Sequence, residues 1–220
     1  MSDGINSKER VKEFGEVFTP DSIVNDMLDL MDKQLPNNEE YITQTVLEPA
    51  CGDGQFLIQI LYRKLLQVQK LPIEQRQINL IKALSSIYGV DIQKDNVKKA
   101  KERMEKVATG KKVSSFDLNS KKQPIQIDLG IEYTEQLIKA IKHILKTNII
   151  VGNTLEPDKL ELTAYHYTKE NKVWLAKADL KSLIDGSDEE HDKTNEVAIL
   201  DIMNAKPSNK ASGNVEEFDF

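Results

Sequence analysis

The stretch "VLEPACGDGQFLIQIL" at residues 46–61 runs from an apolar strand through a glycine loop into an amphipathic helix. Pro49 stops the strand, and the apolar residues that follow the loop recur at helical spacing. Gly52 and Gly54 flank Asp53 in a turn that a side chain at either glycine is expected to crowd. The stretch therefore predicts a strand-loop-helix unit whose loop can bring its backbone close to a ligand.

The same alternation of helix and strand continues on both sides of this unit. Upstream, residues 22–31 have apolar residues at helical spacing, with Thr19 or Asp21 available as a cap and Pro20 suited to the first turn. Downstream, the pattern predicts helices at residues 75–84, 95–107 and 134–146, and strands at residues 87–92 and 148–153. Alternation of this kind builds a parallel sheet with helices on its faces, so we expect an α/β fold.

The alternation stops after Leu155. Residues 161–180 read as a hairpin around a Lys-Glu-Asn-Lys turn, and three aromatic residues are expected to pack in it rather than to stack on bases: Tyr165, Tyr167 and Trp174. The acidic segment at residues 185–192 predicts a loop, and residues 207–214, rich in Ser, Asn and Gly, predict a mobile segment.

Composition excludes several classes of site. A chain of 220 residues, 39% hydrophobic and 30% charged, suits one main domain with an appendage. No apolar run is long enough to span a bilayer and no secretory signal precedes the fold, so we expect a cytoplasmic protein without a membrane partner. One cysteine and three scattered histidines offer no ligand spacing, so no metal site is predicted.

The net charge argues against a chain whose main function is to bind the phosphates of a nucleic acid. Thirty basic and thirty-six acidic side chains give a formal net charge of -6. A local basic run does occur, and we interpret it as a solvated helix face, with phosphate contact as the less favoured alternative. Its members are Lys98, Lys99, Lys101, Arg103, Lys106, Lys111 and Lys112.

The predicted loop suits a ligand that has a ribose but no phosphate. Asp91 closes the strand at residues 87–92, where its carboxylate could accept two hydrogen bonds from ribose hydroxyls. The loop is not a dinucleotide fingerprint, which needs a third glycine at Leu57, and it is not a P-loop. S-adenosylmethionine fits, because its cationic groups would also favour the carboxylates of Glu48 and Asp53.

Four segments together, "EVFTP", "LEPACGDGQFL", "YGVDI" and "IIVGNTL", resemble the cofactor-binding half of the N6-adenine DNA methyltransferases of restriction–modification systems. The resemblance covers residues 11–155. It implies a Rossmann-like fold of the S-adenosylmethionine-dependent methyltransferases and, as the activity, methylation of DNA. It divides the chain into an N-terminal helical segment with the Thr-Pro motif (1–45), a cofactor-binding α/β core (46–155), and a hairpin and mobile insertion leading to the start of a fourth strand (156–220).

The resemblance also assigns the cofactor-binding residues. The methionine end is covered by Phe18, Thr19 and Pro20, and the amino-acid moiety is contacted by the loop and the start of its helix: Glu48, Pro49, Ala50, Cys51, Gly52, Gly54 and Phe56. Asp91 holds the ribose, and Ile92 lies against the adenine. The family's usual Gly-Asp reads Gly-Asn here, so Asn153 is a weaker candidate for the adenine amino group, and Leu155 completes the predicted set.

The family's catalytic tetrapeptide, Asn/Asp-Pro-Pro-Tyr/Phe, is missing from these residues. No Pro-Pro occurs, and "NAKPSN" at residues 204–209 lacks both the adjacent prolines and the aromatic ring. The final "VEEFDF" resembles the opening of a fourth strand, so we expect an incomplete fold, a truncated polypeptide and no catalytic residue in this chain. DNA would then be bound through the full-length protein, with a restriction or specificity subunit as a further candidate partner.

Other readings stay open at this point. A non-catalytic regulatory or anti-restriction protein on a degenerate methyltransferase fold fits the missing motif equally well. A protein or small-molecule methyltransferase would not be expected to carry "EVFTP" upstream. Asp91 could merely cap a helix, and the two loop glycines could merely serve a tight turn. Cys51 is predicted to be a small buried residue and not a nucleophile.

Overall fold

The computed structural model describes residues 19–33, 39–114, 124–167 and 172–178, and the short strands at 196–198, 206–207 and 218–219. The α-helices of these residues are α1 (Asp21–Asp32), α2 (Glu39–Thr43), α3 (Gln55–Lys70), α4 (Ile73–Ser85), α5 (Lys94–Ala108) and α6 (Glu135–Asn148). The strands are β1 (Val46–Glu48), β2 (Ile87–Asp91), β3 (Ile149–Val151), β4 (Leu162–Tyr167), β5 (Lys172–Ala178), β6 (Glu196–Ala198), β7 (Lys206–Pro207) and β8 (Phe218–Asp219).

The first three strands form a parallel sheet in the order β1-β2-β3. Val46 is paired with Ile87, and Gly89 is paired with Ile149. The prediction of a parallel α/β sheet is therefore confirmed. Four of the five residues of β2 are buried, as expected for a strand with a neighbour on each side. In a parallel sheet the carboxyl ends of the strands share one edge, so the loops after β1 and β2 lie side by side.

The helices and strands predicted between residues 22 and 153 are all present, with small differences at their ends. The expectation that the final residues open a fourth strand is not confirmed for this sheet, because β8 pairs with β7 outside it. Helix α6 begins at Glu135 because Thr134 is its N-cap, and the Thr134 hydroxyl accepts a hydrogen bond from the Leu137 N–H at 3.2 Å. Strand β3 is shorter than the predicted strand at residues 148–153. It begins one residue later, because Asn148 still belongs to α6, and it ends at Val151. Helix α2 and the 3₁₀ helix Pro157–Lys159 are too short to leave a periodic pattern in the sequence.

The sheet has a different cover on each face. On one face, Ile87 and Ile149 belong to a large hydrophobic core. The six α-helices supply most of its apolar side chains, from Val24 of α1 to Leu145 of α6. On the other face Tyr88 and Val90 pack against residues that follow β3: Leu160 and Leu162. Each fully buried Leu, Ile or Val contributes about 1.5–3 kcal/mol, so the helical face is the main source of stability.

Helix α1 is fixed to α3 by charge as well as by apolar contact. Arg63 of α3 forms salt bridges to Asp29 at 2.7 Å and to Asp32. The Tyr41 hydroxyl donates to the Asp32 carboxylate at 2.6 Å. Val24 and Leu28 are buried beneath these contacts. Helix α1 and the Thr-Pro turn before it are thus anchored to the helix that follows the glycine loop.

A buried lysine ties α2, α3 and the start of β2 together. The Lys64 ammonium donates to the carbonyl oxygens of three residues, Tyr41 at 3.3 Å, Ile42 at 3.0 Å and Gln44 at 2.5 Å, and to the Ser86 hydroxyl at 2.8 Å. We call Lys64 with these four oxygen atoms the lysine cage. Only 2% of Lys64 is exposed, and burial lowers the pKa of its ammonium to about 7.

The predicted hairpin is confirmed: β4 and β5 pair antiparallel, with β6 added beside β5. The hydroxyls of two β4 tyrosines hydrogen-bond to the helices, Tyr165 to Thr147 at 2.8 Å and Tyr167 to Ser85 at 2.5 Å. These two tyrosines therefore pack against the core, whereas the prediction was packing within the hairpin. The side chain of Trp174 lies outside what is described.

The C-terminal part of the chain is described only in short pieces. Phe218–Asp219 pairs antiparallel with Lys206–Pro207, in a two-stranded sheet separate from β1. The acidic segment at residues 185–192 and residues 208–214 lie outside the described residues. The division of the chain at residues 45 and 155 stays a prediction. Within the described ranges, no helix combines the length and the apolar character needed to cross a lipid bilayer.

Candidate functional site

The loop between β1 and α3 makes a tight turn at the carboxyl edge of the sheet. The Cys51 N–H donates to the Val90 carbonyl at 2.9 Å, and the Gly54 N–H donates to the Cys51 carbonyl at 2.9 Å. Gly52 has φ +53° and Gly54 has φ +88°. Residues with a Cβ rarely adopt these values, so the backbone itself requires glycine at both positions.

The space around the two glycines differs. A Cβ added at Gly54 would lie 2.9 Å from the Cβ of Ala100, so the loop packs directly on α5. A Cβ added at Gly52 would meet no atom within 4 Å apart from its chain neighbours. The expected crowding is therefore confirmed at Gly54 and wrong at Gly52. Because the space over Gly52 is open, a ligand can approach the backbone there.

Asp91 connects the end of β2 to this loop. Its Oδ2 accepts from the Gly52 N–H at 2.9 Å, and its Oδ1 accepts from the Gln93 N–H at 2.8 Å and from the Asn96 amide at 3.5 Å. Helix α5 begins at Lys94 with Gln93 as its N-cap, so Asp91 is not the capping residue. Its carboxylate is instead held between the two loops at the carboxyl edge of the sheet.

Glu48 and Cys51 lie at the base of the loop. Burial raises the pKa of the half-buried Glu48 carboxyl, although a 3.3 Å hydrogen bond from the Ala50 N–H opposes this effect. Burial, with the charges of Asp91 and Glu48, raises the pKa of the Cys51 thiol to about 12. Cys51 is 5% exposed, so the prediction of a small buried residue is confirmed, and its thiol is protonated near neutral pH.

The structure corrects the expectation that Asp53 offers a charge to a cationic ligand. One of its carboxylate oxygens lies 2.7 Å from a guanidinium nitrogen of Arg103, which leaves this charge already paired. The side chain of Arg103 is only 14% exposed, so its interpretation as part of a solvated face is wrong. The interpretation holds for the exposed members of that basic run: Lys98, Lys99, Lys106, Lys111 and Lys112.

Two apolar side chains that follow β2 and β3 are exposed. Ile92 is 59% exposed and Leu155 is 88% exposed. The Gly152 N–H donates to the Asp91 carbonyl at 3.0 Å, which places the end of β3 beside the end of β2. Exposed apolar groups next to a fixed carboxylate suit a ligand with both a flat apolar part and hydroxyl groups.

Asn153 makes local contacts at this edge. Its Oδ1 accepts from the Leu155 N–H at 3.1 Å, and its Nδ2 donates to the Glu156 carboxylate at 3.3 Å. Its side-chain oxygen therefore already has one partner. A carbonyl oxygen can accept a second hydrogen bond, so the predicted contact to an adenine amino group stays a prediction.

The remaining predicted residues belong to the segment before α1, to the loop and to the first turn of α3. Thr19 and Pro20 are half-buried ahead of α1, and the Pro20 carbonyl accepts from the Val24 N–H at 3.0 Å. Phe18 lies outside the described residues. Phe56 is half-buried and packs against the core, and the other two loop residues, Pro49 and Ala50, are exposed.

Sequence reasoning missed Arg103 as a contact of the loop. The only hint was its spacing, since Arg103 follows Ala100 by three positions and therefore lies on the same face of α5. Sequence reasoning also gave no metal site. Among the residues that the structure describes, no group of three or more His, Cys, Asp or Glu side chains could hold a metal ion.

Comparison with known families supplies the identification. The family model described as N-6 DNA Methylase matches residues 4–114, half of the chain, including the loop, Asp91 and Arg103. The chain belongs to the N-6 DNA methylase family. This family comprises DNA methyltransferases, which generally use S-adenosylmethionine. No curated protein and no solved structure matches the chain.

Proposed function

We propose that this chain binds S-adenosylmethionine in the crevice at the carboxyl edge of its parallel sheet, as the cofactor-binding half of an adenine-specific N6 DNA methyltransferase with a Rossmann-like fold. One observation carries the proposal, the 2.9 Å hydrogen bond from the Gly52 N–H to the Asp91 carboxylate. It joins the glycine loop after the first strand to the acid after the second. A ligand that contains a ribose needs both features at this edge.

The nucleoside end of the cofactor fits the groups around Asp91. An ionised carboxylate has about four acceptor positions, so the backbone N–H groups of Gly52 and Gln93 and the more distant Asn96 amide leave capacity for at least one ribose hydroxyl. The exposed side chain of Ile92 would lie against the adenine ring. Asn153 and Leu155 would border the adenine from the end of β3.

The amino-acid end fits the loop. The open space over Gly52 lets the ligand approach the backbone, near Cys51 and Gly54. Because Asp53 is paired with Arg103, Glu48 is the loop carboxylate left for the ammonium or sulfonium group. Thr19 and Pro20, with Phe18, would fold over the methionine end from the side of α1. The cofactor, when bound, supplies an electrophilic methyl group.

The proposed acceptor is N6 of a DNA adenine. Its lone pair is delocalised into the ring, so the amino group needs hydrogen-bond acceptors and the flipped base needs a stacking partner. The family's Asn/Asp-Pro-Pro-Tyr/Phe motif provides these, and no Pro-Pro occurs in these 220 residues. We therefore propose that these residues alone transfer no methyl group. Transfer of labelled methyl groups to unmethylated genomic DNA would contradict this part of the proposal.

Most contacts to DNA are proposed to come from outside these residues. The formal net charge of -6 disfavours binding to phosphates without help. A recognition region of a longer protein, or a restriction or specificity subunit, would provide the basic surface. Binding of a fluorescent DNA duplex to the 220-residue chain should accordingly be weak and should weaken further as salt is raised.

Calorimetric titration with S-adenosylhomocysteine tests cofactor binding directly. Asp91→Asn should reduce affinity about tenfold or more, because a hydrogen bond to a charged group contributes about 1.5–3 kcal/mol. Asp95→Asn is the matched control, since Asp95 is an exposed acid in the first turn of α5. Unchanged affinity in Asp91→Asn would contradict the ribose assignment, and no binding by the wild-type chain would contradict the proposed function.

A further inference from the structure

Arg103 of α5 makes three contacts with residues that flank Gly54 and a fourth with Ser114, which follows α5. Nη1 lies 2.7 Å from the Asp53 carboxylate and donates to the Asp53 carbonyl at 3.1 Å. Nη2 donates to the Gln55 side-chain oxygen at 2.5 Å and to the Ser114 carbonyl at 3.3 Å. A single side chain therefore holds the residues on both sides of Gly54.

These contacts use the geometry of arginine. Its planar guanidinium presents donors in a fixed fork, so two neighbouring segments can be held at once, whereas the lysine ammonium is a point charge on a flexible stem. The guanidinium is mostly shielded from solvent, at 14% exposure. About one turn earlier on α5, the Cβ of Ala100 would lie only 2.9 Å from a Cβ added at Gly54. Helix α5 thus contacts residues 53, 54 and 55 in succession.

We propose that Arg103 is a positioning residue for the cofactor, which sets the conformation of residues 53–55 where the amino-acid end of the cofactor is bound. The inference rests on the proposed function, because it needs S-adenosylmethionine in the crevice. Arg103 also removes Asp53 from the carboxylates that the cofactor can use. Glu48 is then the loop carboxylate that faces the cationic groups of the ligand.

The role of Arg103 is local to one end of the ligand. Asp91 is held by the N–H groups of Gly52 and Gln93, and none of these bonds involves Arg103. Loss of Arg103 should therefore leave binding of the ribose and the adenine nearly intact. It should weaken binding only of ligands that carry the amino-acid moiety.

The test compares two ligands on purified variants of the 220-residue chain. S-adenosylhomocysteine carries the amino-acid end, and methylthioadenosine lacks it. Affinities are measured by calorimetry for the wild type, Arg103→Met, Arg103→Lys, Asp53→Asn and the double variant Arg103→Met/Asp53→Asn. Arg76→Met is the matched control, because Arg76 is a partly buried arginine of α4 that donates to the carbonyls of Leu71 and Leu129. Thermal unfolding of each unliganded variant reports on the fold.

Arg103→Met should bind S-adenosylhomocysteine about tenfold more weakly and methylthioadenosine within about twofold of the wild type, because the first ligand must then order residues 53–55 as it binds. Arg103→Lys should recover part of the loss, since its ammonium can still reach one acceptor. Arg76→Met should lower the unfolding temperature without changing either affinity.

Other outcomes separate this inference from the proposed function. Equal losses for both ligands, or no loss, in Arg103→Met would overturn the positioning role while leaving cofactor binding in place. Full recovery of affinity in the double variant would show that Arg103 only neutralises Asp53, which also overturns it. A wild-type chain that binds neither ligand would overturn the proposed function, and the inference with it.

Discussion

Two clusters of polar groups in this protein differ in how much of their hydrogen-bonding capacity is used. In the lysine cage, the three donors of the Lys64 ammonium face four oxygen atoms within 3.3 Å, and the group is closed to solvent. At the carboxyl edge, the carboxylates of Asp91 and Glu48 accept hydrogen bonds from backbone N–H groups and keep unused acceptor positions.

The difference shows which polar groups hold the fold and which are available to a ligand. A buried polar group that is fully paired stabilises its surroundings and cannot bind anything else. A carboxylate that is fixed by the backbone but not saturated is preorganised for a ligand. Substitutions in the cage should therefore change stability, and substitutions at the edge should change binding.

The largest expected effect is a loss of stability in Lys64→Met. This variant has a similar length but leaves the carbonyls of Tyr41 and Gln44 without the donor that they have in the cage. An unsatisfied buried group costs about 1–3 kcal/mol, and of these two residues only Tyr41 is buried, so the free energy of unfolding should fall by about 2 kcal/mol. Urea denaturation measures this change.

Lys139→Met is the control for this prediction. Lys139 lies on α6, its side chain is 61% exposed, and it pairs with Glu135, so its loss should change stability by less than about 0.5 kcal/mol. If Lys64→Met were as stable as the wild type, the cage would not hold the fold, and the comparison between the two clusters would fail.

The next effect concerns the pH dependence of the cage. Burial lowers the pKa of folded Lys64 to about 7, whereas the pKa of a lysine in an unfolded chain is about 10.4. Between these values the unfolded chain binds more protons, so the free energy of unfolding should rise with pH. Relative to Lys64→Met, the wild type should gain about 1 kcal/mol or more between pH 7 and pH 9. A flat difference would show that the carbonyl oxygens keep Lys64 charged despite its burial.

The sequence predicted the elements that position the site better than it predicted the contacts between them. Asp91 could be placed at the end of a strand because strands and helices leave periodic patterns, and parallel strands bring their carboxyl ends together. The pairing of Arg103 with Asp53 could not be predicted, since it depends on how α5 packs on the loop.

The buried state of Lys64 was missed for a related reason. Lys64 follows Ile60 by four positions and therefore lies on the apolar face of α3. A charged residue at such a position normally reads as a break in the apolar pattern, because lysine is almost never fully buried unless it is paired. The acceptors that make burial tolerable come from α2 and from Ser86, which are distant in sequence.

A smaller effect is expected from pH at the carboxyl edge. Burial raises the pKa of Glu48 above the ordinary glutamate range, and a cationic ligand would favour its ionised form. Affinity for S-adenosylhomocysteine should therefore fall as the solution is made more acidic than pH 7, because the protonated carboxyl must lose its proton on binding. Glu48→Gln should remove this dependence, and Glu74→Gln, which changes an exposed acid of α4, should keep it. A pH dependence that survives in Glu48→Gln would assign it to another group.

The smallest expected effect comes from Asn153→Asp. The substitution keeps a side-chain oxygen that can accept from the Leu155 N–H and from an adenine amino group, but it loses the donor that contacts Glu156. The new carboxylate would repel Glu156, although both side chains lie at the surface, where such repulsion costs only a few tenths of a kcal/mol. Affinity for S-adenosylhomocysteine should therefore stay within about twofold of the wild type or improve, because a charged acceptor makes the stronger hydrogen bond.

Asn153→Leu keeps a similar size without the acceptor and should bind more weakly than Asn153→Asp. A substantial loss in Asn153→Asp, with Asn153→Leu unchanged, would mean that the adenine is recognised elsewhere and that Asn153 only shapes the turn after β3.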